Sequence, residues 1–118
     1  MRQLVEGICD SFGVSAKVKY ETTCPMTFNQ PKQAEAATKA AITLLGEDKC
    51  NGDIDPRPFS EDFSIMSENT PGCFVLMGNG TSGSYGKPLH SADYDFNDEL
   101  LVKGSSYWVE LAEQQLQK

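Results

Sequence analysis

Long apolar runs, a basic surface and a signal peptide are all missing from this sequence of 118 residues. No apolar run approaches the roughly 20 residues that a membrane-spanning helix needs. The first residues, MRQLVEGICDSFG, include acidic and polar side chains where a signal peptide has an apolar stretch. Lys and Arg number 10 against 17 Asp and Glu, a net charge of -7, and the basic residues are scattered. We therefore expect a cytoplasmic protein that binds neither nucleic acid nor membranes.

Closely spaced cysteines are also missing, because the four cysteines lie far apart and form no CxxC pair. This spacing excludes a zinc ribbon and a thioredoxin-type redox motif, and free thiols are expected. Charged residues make up 23% and hydrophobic residues 39% of the chain, a balance typical of folded domains. One domain of this length is expected to bury roughly two thirds of its unfolded surface.

The N-terminal part of the chain predicts a helix followed by a strand. Apolar residues at helical spacing predict an amphipathic helix over residues 2–12, with Gly13 as its left-handed stop. Residues 14–21 then alternate between apolar and polar side chains, as in an antiparallel strand with one solvent-exposed face. The pattern changes near residues 24–29, where we place a domain boundary.

The remainder of the chain predicts helices around a buried strand. A helix with a stripe of small residues is expected over residues 31–46, and a short one over residues 61–67 with Ser60 as its cap. Residues 73–77, CFVLM, are apolar without alternation and predict a strand covered on both faces, as in a parallel sheet. A long final helix from Asn97 can cover this strand. Its apolar side is predicted to contain Leu100, Gly104, Trp108, Leu111 and Gln115.

The single histidine, His90, lies in the stretch GKPLHSADYDFND together with Asp93, Asp95 and Asp98. It follows a buried strand and a glycine-rich loop, a position where sites gather in α/β sheets, and neighbouring carboxylates can orient an imidazole. The same aspartates are also typical of turns and helix caps. From the residues alone, His90 is either a metal ligand or an ordinary loop histidine.

The stretch SEDF offers a second candidate site, because Glu61 and Asp62 together could perform acid–base chemistry. Acidic residues behind Ser60 in the first turn of a helix also complement the helix dipole without any catalytic role. Both interpretations remain open at this point.

The order of four motifs adds a resemblance to a known family. SEDFSIM, PGCFVLMGNG, LHSADYDFND and a final helix containing GSSYW follow one another as in the C-terminal part of hippurate hydrolase and indole-acetyl-amino-acid hydrolase type amidohydrolases. These enzymes belong to the aminoacylase/carboxypeptidase group of dinuclear metal hydrolases. The resemblance covers the whole chain and implies an α/β fold. Residues 25–118 would be the C-terminal part of a zinc-exopeptidase-like catalytic domain, a mostly parallel sheet covered by helices, and residues 1–24 the last helix and strand of a ferredoxin-like lid domain.

The resemblance also implies a role for His90, as a ligand to one of two divalent metal ions (Mn, Zn, Co or Ni). The other ligands, a Cys, two His and a Glu, and the general-base Glu would belong to the first half of the enzyme. This chain would then supply no catalytic residue and bind no metal by itself. Supporting or pocket-lining roles would fall to Ser60, Glu61, Asp62 and Asp95.

The implied function is hydrolysis of the amide bond of N-acyl amino acids, with the isolated chain inactive. Two alternatives remain. The first is a truncated, non-enzymatic binding or dimerisation module of the same fold, which would form a homodimer through the helix and strand of residues 2–22. The second is a small domain with an unrelated role.

Overall fold

The computed structural model describes residues 1–116, and every regular element within them is helical. The α-helices are α1 (Arg2–Ser11), α2 (Pro31–Leu45), α3 (Phe63–Ser67) and α4 (Glu99–Leu116). Short 3-10 helices follow α2 and precede the His90 turn, at Glu47–Lys49 and Gly83–Gly86. No strand is present in residues 1–116, so the mostly parallel sheet expected from the sequence is not confirmed.

Helix α1 ends as its sequence predicts. The N–H of Gly13 donates to the Asp10 carbonyl at 3.0 Å, and the N–H of Val14 donates to the Cys9 carbonyl at 3.0 Å. Gly13 has a φ of 66°, so these two bonds form a Schellman motif. Helix α1 contacts no other helix within residues 1–116, and its predicted boundary with the rest of the chain stays a prediction.

Helices α2 and α4 pack against each other and form the small core of the described chain. Pro31 begins α2, where its missing N–H costs no hydrogen bond, and Gly46 ends it with a φ of 90°. Ala37 and Ala40 of α2 are buried, and the Tyr107 hydroxyl of α4 donates to the Ala37 carbonyl at 3.4 Å.

The predicted apolar side of α4 needs correction at two positions. Tyr107 is the buried aromatic residue, at 6% exposure, whereas the neighbouring Trp108 is 68% exposed. Gln115 is likewise exposed, and the more buried side of α4 follows the spacing Gly104, Tyr107, Leu111 and Gln114. A one-residue shift rotates a helix by about 100°, which is enough to exchange a buried side chain for an exposed one.

Helix α3 begins two residues later than predicted, at Phe63, and Ser60 does not cap it. Asp62 takes the capping position, without a side-chain hydrogen bond to the helix. The N–H of Ser64 donates to the Glu61 carbonyl at 3.3 Å. That bond closes an i to i+3 turn instead of an α-helical turn. The α-helix therefore begins at Phe63 and not at the predicted Glu61.

Residues 73–77 form no strand in the described chain, and the prediction that both their faces are covered is wrong there. Val75, Leu76 and Met77 are 47%, 51% and 43% exposed. The partner of this segment is a side chain: Asn29 Nδ2 donates to the Phe74 carbonyl at 3.0 Å, and the Phe74 N–H donates to Asn29 Oδ1 at 2.7 Å. Strand pairing needs a second backbone. No backbone hydrogen bond joins residues 73–77 to another segment within residues 1–116, and the nearest one is donated by the Gln30 N–H to the Gly72 carbonyl, at 3.0 Å. Residues 14–20 are likewise unpaired.

The described chain is extended for its length. Its Cα radius of gyration is 20.2 Å, whereas a compact domain of this size has about 13 to 14 Å. Its accessible surface is 10013 Å², against about 6,300 Å² for a folded monomer of the same mass. The expectation that folding buries two thirds of the surface of the unfolded chain is therefore wrong. The described chain buries somewhat less than about one half of that surface. Within residues 1–116, no helix combines the length and the apolar composition needed to cross a membrane.

Candidate metal-binding loop

The glycine-rich segment after residue 77 turns the chain sharply toward His90. Gly80 and Gly83 have φ values of 150° and 61°. At Gly86 the backbone of Thr81 comes so close that an added Cβ would lie 2.6 Å from the Thr81 carbonyl carbon. Only glycine fits such an approach, so the glycines here are explained by the geometry of the turn.

His90 occupies a backbone conformation that side chains rarely adopt. Its φ is 69°, and it is the one non-glycine residue with a positive φ within residues 1–116. The Ser91 N–H donates to the Pro88 carbonyl at 3.2 Å. His90 thus takes the third position of a type II-like β-turn, which normally holds glycine or asparagine. Such strain costs about 1 to 3 kcal/mol and is typical of functional sites.

Two short-range contacts hold this turn. The Ser91 hydroxyl donates to the Pro88 carbonyl at 2.7 Å, and Lys87 Nζ lies 2.8 Å from Asp93 Oδ2. The hydrogen bond from Lys87 lowers the pKa of the Asp93 carboxyl, and partial burial opposes this effect. Asp93 therefore remains ionised at neutral pH, and its ion-pair partner within residues 1–116 is Lys87 rather than His90.

Two asparagines for which the sequence predicted no role at the site, Asn79 and Asn97, hold the base of the loop. Asn79 Nδ2 donates to the carbonyls of Tyr85, at 3.1 Å, and Asp95, at 2.8 Å. The Asn97 N–H donates to Asn79 Oδ1 at 2.9 Å, and Asn97 Nδ2 donates to the Asn79 carbonyl at 3.2 Å. Hydrogen bonds between residues this far apart leave no periodic pattern in a sequence. The available sequence signal was an asparagine next to a glycine-rich turn, where asparagine side chains often bond to the backbone.

The remaining predicted site residues are not brought together with His90. Asp95 contacts Asn79 through its carbonyl, and its carboxylate makes no ion pair within residues 1–116. Ser60, Glu61 and Asp62 lie just before α3, and no hydrogen bond or ion pair within the described chain joins them to His90. No three His, Cys, Asp or Glu side chains of residues 1–116 cluster as metal ligands do. Within residues 1–116, His90 therefore stands apart from the other predicted site residues.

A separate cavity of about 340 Å³ lies between α2, the turn after it and residues 73–78. None of the predicted site residues lines it. Burial raises the pKa of the Cys73 thiol on its wall. Burial, and then the proximity of Cys73, raise the pKa of the Tyr107 hydroxyl. Both groups are therefore protonated at neutral pH, which makes Cys73 a poor nucleophile.

Comparison with known proteins connects this loop to a family. The family model described as Peptidase family M20/M25/M40 matches residues 4–114. The chain belongs to this peptidase family. The resemblance to the hippurate hydrolase type of amidohydrolase is thereby confirmed, since the hippurate hydrolase of Campylobacter jejuni is 29% identical over 110 residues, 93% of this chain and 28% of that protein.

Two further relatives show the same partial coverage. An uncharacterized hydrolase of Staphylococcus epidermidis is 30% identical over 117 residues, which cover 94% of this chain and 29% of the relative. The thermostable carboxypeptidase 1 of Saccharolobus solfataricus is 28% identical over 108 residues, 89% of this chain and 26% of the relative. The chain thus spans less than a third of the length of these relatives. No solved structure matches it.

Proposed function

We propose that this chain is the C-terminal part of a metal-dependent amidohydrolase that cleaves the amide bond of N-acyl amino acids, and that His90 is its contribution to the metal site. The observation that carries the proposal is the His90 turn, an exposed imidazole held in a strained conformation. Strain of this kind persists where the surrounding structure enforces it and function uses it. A neutral imidazole is a ligand suited to zinc and related divalent ions.

The division of roles follows from what the described residues can do. Divalent ions in such a site supply Lewis-acid polarisation of an amide carbonyl. His90 would hold position and accept no proton from the substrate, and the general base would come from outside this chain. Ser60, Glu61, Asp62 and Asp95 would line the pocket or support the ligand.

The exposed surface of the chain supports its assignment to part of a larger catalytic domain. The accessible surface exceeds that of a folded monomer of equal mass by roughly 3,700 Å², whereas a standard stable interface takes about 800 Å² from each partner. The relatives named above are each more than three times longer than the matched segment. We therefore expect the isolated chain to be inactive.

The proposal is tested by His90→Ala in the complete hydrolase. Loss of a ligand should lower the bound metal and reduce hydrolysis of hippurate by at least about 100-fold. Leu89→Ala is the matched control, because Leu89 occupies the same turn, is 66% exposed and carries no ligand atom. Near-normal turnover of His90→Ala with full metal content would refute the role of His90.

A non-enzymatic dimerisation module of the same fold is the second candidate, and α1 is the observation that favours it. Leu4, Ile8 and Phe12 are 66%, 52% and 79% exposed, and α1 contacts no other helix within residues 1–116. A second copy could cover this apolar face.

Sedimentation equilibrium distinguishes this candidate. If α1 forms the dimer, Ile8→Lys should weaken dimerisation at least tenfold because it places a charge in the apolar contact. Gln3→Lys makes a comparable change of charge on the same helix and should have little effect. A chain that is monomeric at all concentrations would eliminate the dimerisation module.

A further inference from the structure

We propose that Asn79 is the positioning residue for His90, an inference that rests on the proposed role of His90 as a metal ligand. The Asn79 side chain is half-buried, and its Nδ2 donates to the carbonyls of Tyr85 and Asp95 at 3.1 and 2.8 Å. One nitrogen atom therefore holds both ends of residues 85–95. This segment, which we call the His90 loop, has the closed shape of an Ω-loop, with His90 at its midpoint.

The other end of the Asn79 amide ties the His90 loop to α4. Asn79 Oδ1 accepts the Asn97 N–H at 2.9 Å. Asn97 Oδ1 in turn accepts the N–H of Glu99, the first residue of α4, at 3.1 Å. The Asn79 amide thus connects the two ends of the loop with Asn97, using both of its donors and its acceptor, and the Asn97 amide extends the connection to the start of α4.

No other polar contact within residues 1–116 joins the two ends of the His90 loop or ties the loop to α4. The hydrogen bonds and ion pair of residues 86–94 all join partners that lie within residues 82–94. These contacts shape the turn around His90 but do not fix its place relative to the helices. Without the Asn79 side chain, the two ends of the loop are free to separate, because a modest loop-closure entropy opposes their pairing. The imidazole then loses its fixed position.

The test substitutes Asn79 with aspartate, which has nearly the same size. Asn79→Asp keeps the acceptor for the Asn97 N–H, removes both donors and places a negative charge beside two carbonyl oxygens. We expect the amides of Ser91 and Tyr94 to exchange hydrogen at least tenfold faster in the 118-residue chain. The imidazole proton signals of His90, which are unambiguous because it is the only histidine, should shift and sharpen.

Asn29→Asp is the matched control. Asn29 also bridges distant backbone through one Nδ2 donor and one Oδ1 acceptor, at Phe74, but Phe74 lies outside the His90 loop. This variant should leave the exchange of Ser91 and Tyr94 unchanged. Equal exchange of these amides in the wild type and Asn79→Asp would overturn the proposal, as would equal acceleration in both variants.

Global unfolding is separated from loop release by a second measurement on the same variant. The amides of Ala40 and Ala41 lie in α2, outside the His90 loop. Faster exchange of Ser91 and Tyr94 in Asn79→Asp, with Ala40 and Ala41 exchanging as in the wild type, supports the proposal. Equal acceleration of all four amides would show a general loss of the fold and overturn it.

Metal affinity in the complete hydrolase distinguishes failure of this inference from failure of the proposed function. Mutation of a group that orients a metal ligand typically lowers metal affinity about 10- to 100-fold. Asn79→Asp should therefore weaken Mn²⁺ binding by about that factor, whereas Asn29→Asp should not. Loss of metal in His90→Ala without any effect of Asn79→Asp refutes Asn79 alone. Unchanged metal binding in His90→Ala refutes the ligand role, even if Asn79→Asp loosens the loop.

Discussion

His90 combines an unfavourable backbone conformation with an exposed side chain. At a φ of 69° the Cβ of an ordinary residue is crowded against the backbone, a cost that glycine does not have. Glycine and asparagine are the usual residues at this position of the turn, although histidine tolerates a positive φ better than most side chains do. If His90 is a metal ligand as proposed, stability and metal binding should respond differently to substitution at this position.

Comparison of two substitutions at His90 separates these effects. His90→Ala retains the strain, whereas His90→Gly relieves it. Although glycine usually destabilises a folded chain relative to alanine, His90→Gly should be more stable than His90→Ala by about 1 kcal/mol. Urea unfolding of the metal-free complete hydrolase measures the difference. A more stable alanine variant would show that the turn does not hold a positive φ in solution.

The helices illustrate which elements a sequence determines locally. The bounds of α1 and α2 follow from periodicity, from Pro31 at the start of α2 and from Gly13 and Gly46 at the stops, all of which act within a few residues. The pairing of residues 73–77 depends instead on a second backbone, which can lie at any distance along a chain. Periodicity cannot reveal that partner, and no backbone hydrogen bond pairs this segment within residues 1–116.

The candidate site shows the same division between local and distant signals. His90 was selected from residue type and motif order, and the positive φ was not foreseen. Asn79 was missed because its bonds reach residues 6 and 16 positions away, where spacing carries no information. Trp108 was placed on the wrong side of α4, because a stripe of small and large residues defines a helix face only to within one position.

The close approach of the Thr81 and Gly86 backbones, in the glycine-rich segment around the start of the His90 loop, can be tested by substitution. In Gly86→Ala the new Cβ would meet Thr81 backbone atoms at 2.6 and 2.9 Å, which cannot move aside as a side chain would. We expect a loss of about 1 to 3 kcal/mol in unfolding free energy and faster amide exchange in the loop.

Gly78→Ala is the control for this substitution, since a Cβ there meets nothing within 4 Å and its φ is not positive. It should leave stability within about 0.5 kcal/mol of the wild type. Equal stability of the two variants would contradict the close approach of residues 81 and 86.

At the scale of the whole molecule, apolar surface is left uncovered. Buried apolar residues within the described chain are limited to Ala37, Ala40 and Tyr107. The faces of α1 and residues 75–77 remain exposed, although the chain belongs to a peptidase family whose compared members are more than three times longer than the matched segment. These features support the proposal that the chain is one part of a larger hydrolase.

The most direct test of this account is a calorimetric titration with Mn²⁺ and Zn²⁺ after removal of metal with a chelator. We predict weak or no binding by the purified 118-residue chain, because one imidazole cannot hold two ions. Tight binding of about two ions is expected once the first half of the hydrolase is supplied, and this binding should be lost when the 118-residue chain carries His90→Ala. Tight binding of about two ions by the 118-residue chain alone would contradict the proposal that His90 is one ligand of a site shared with the rest of the enzyme.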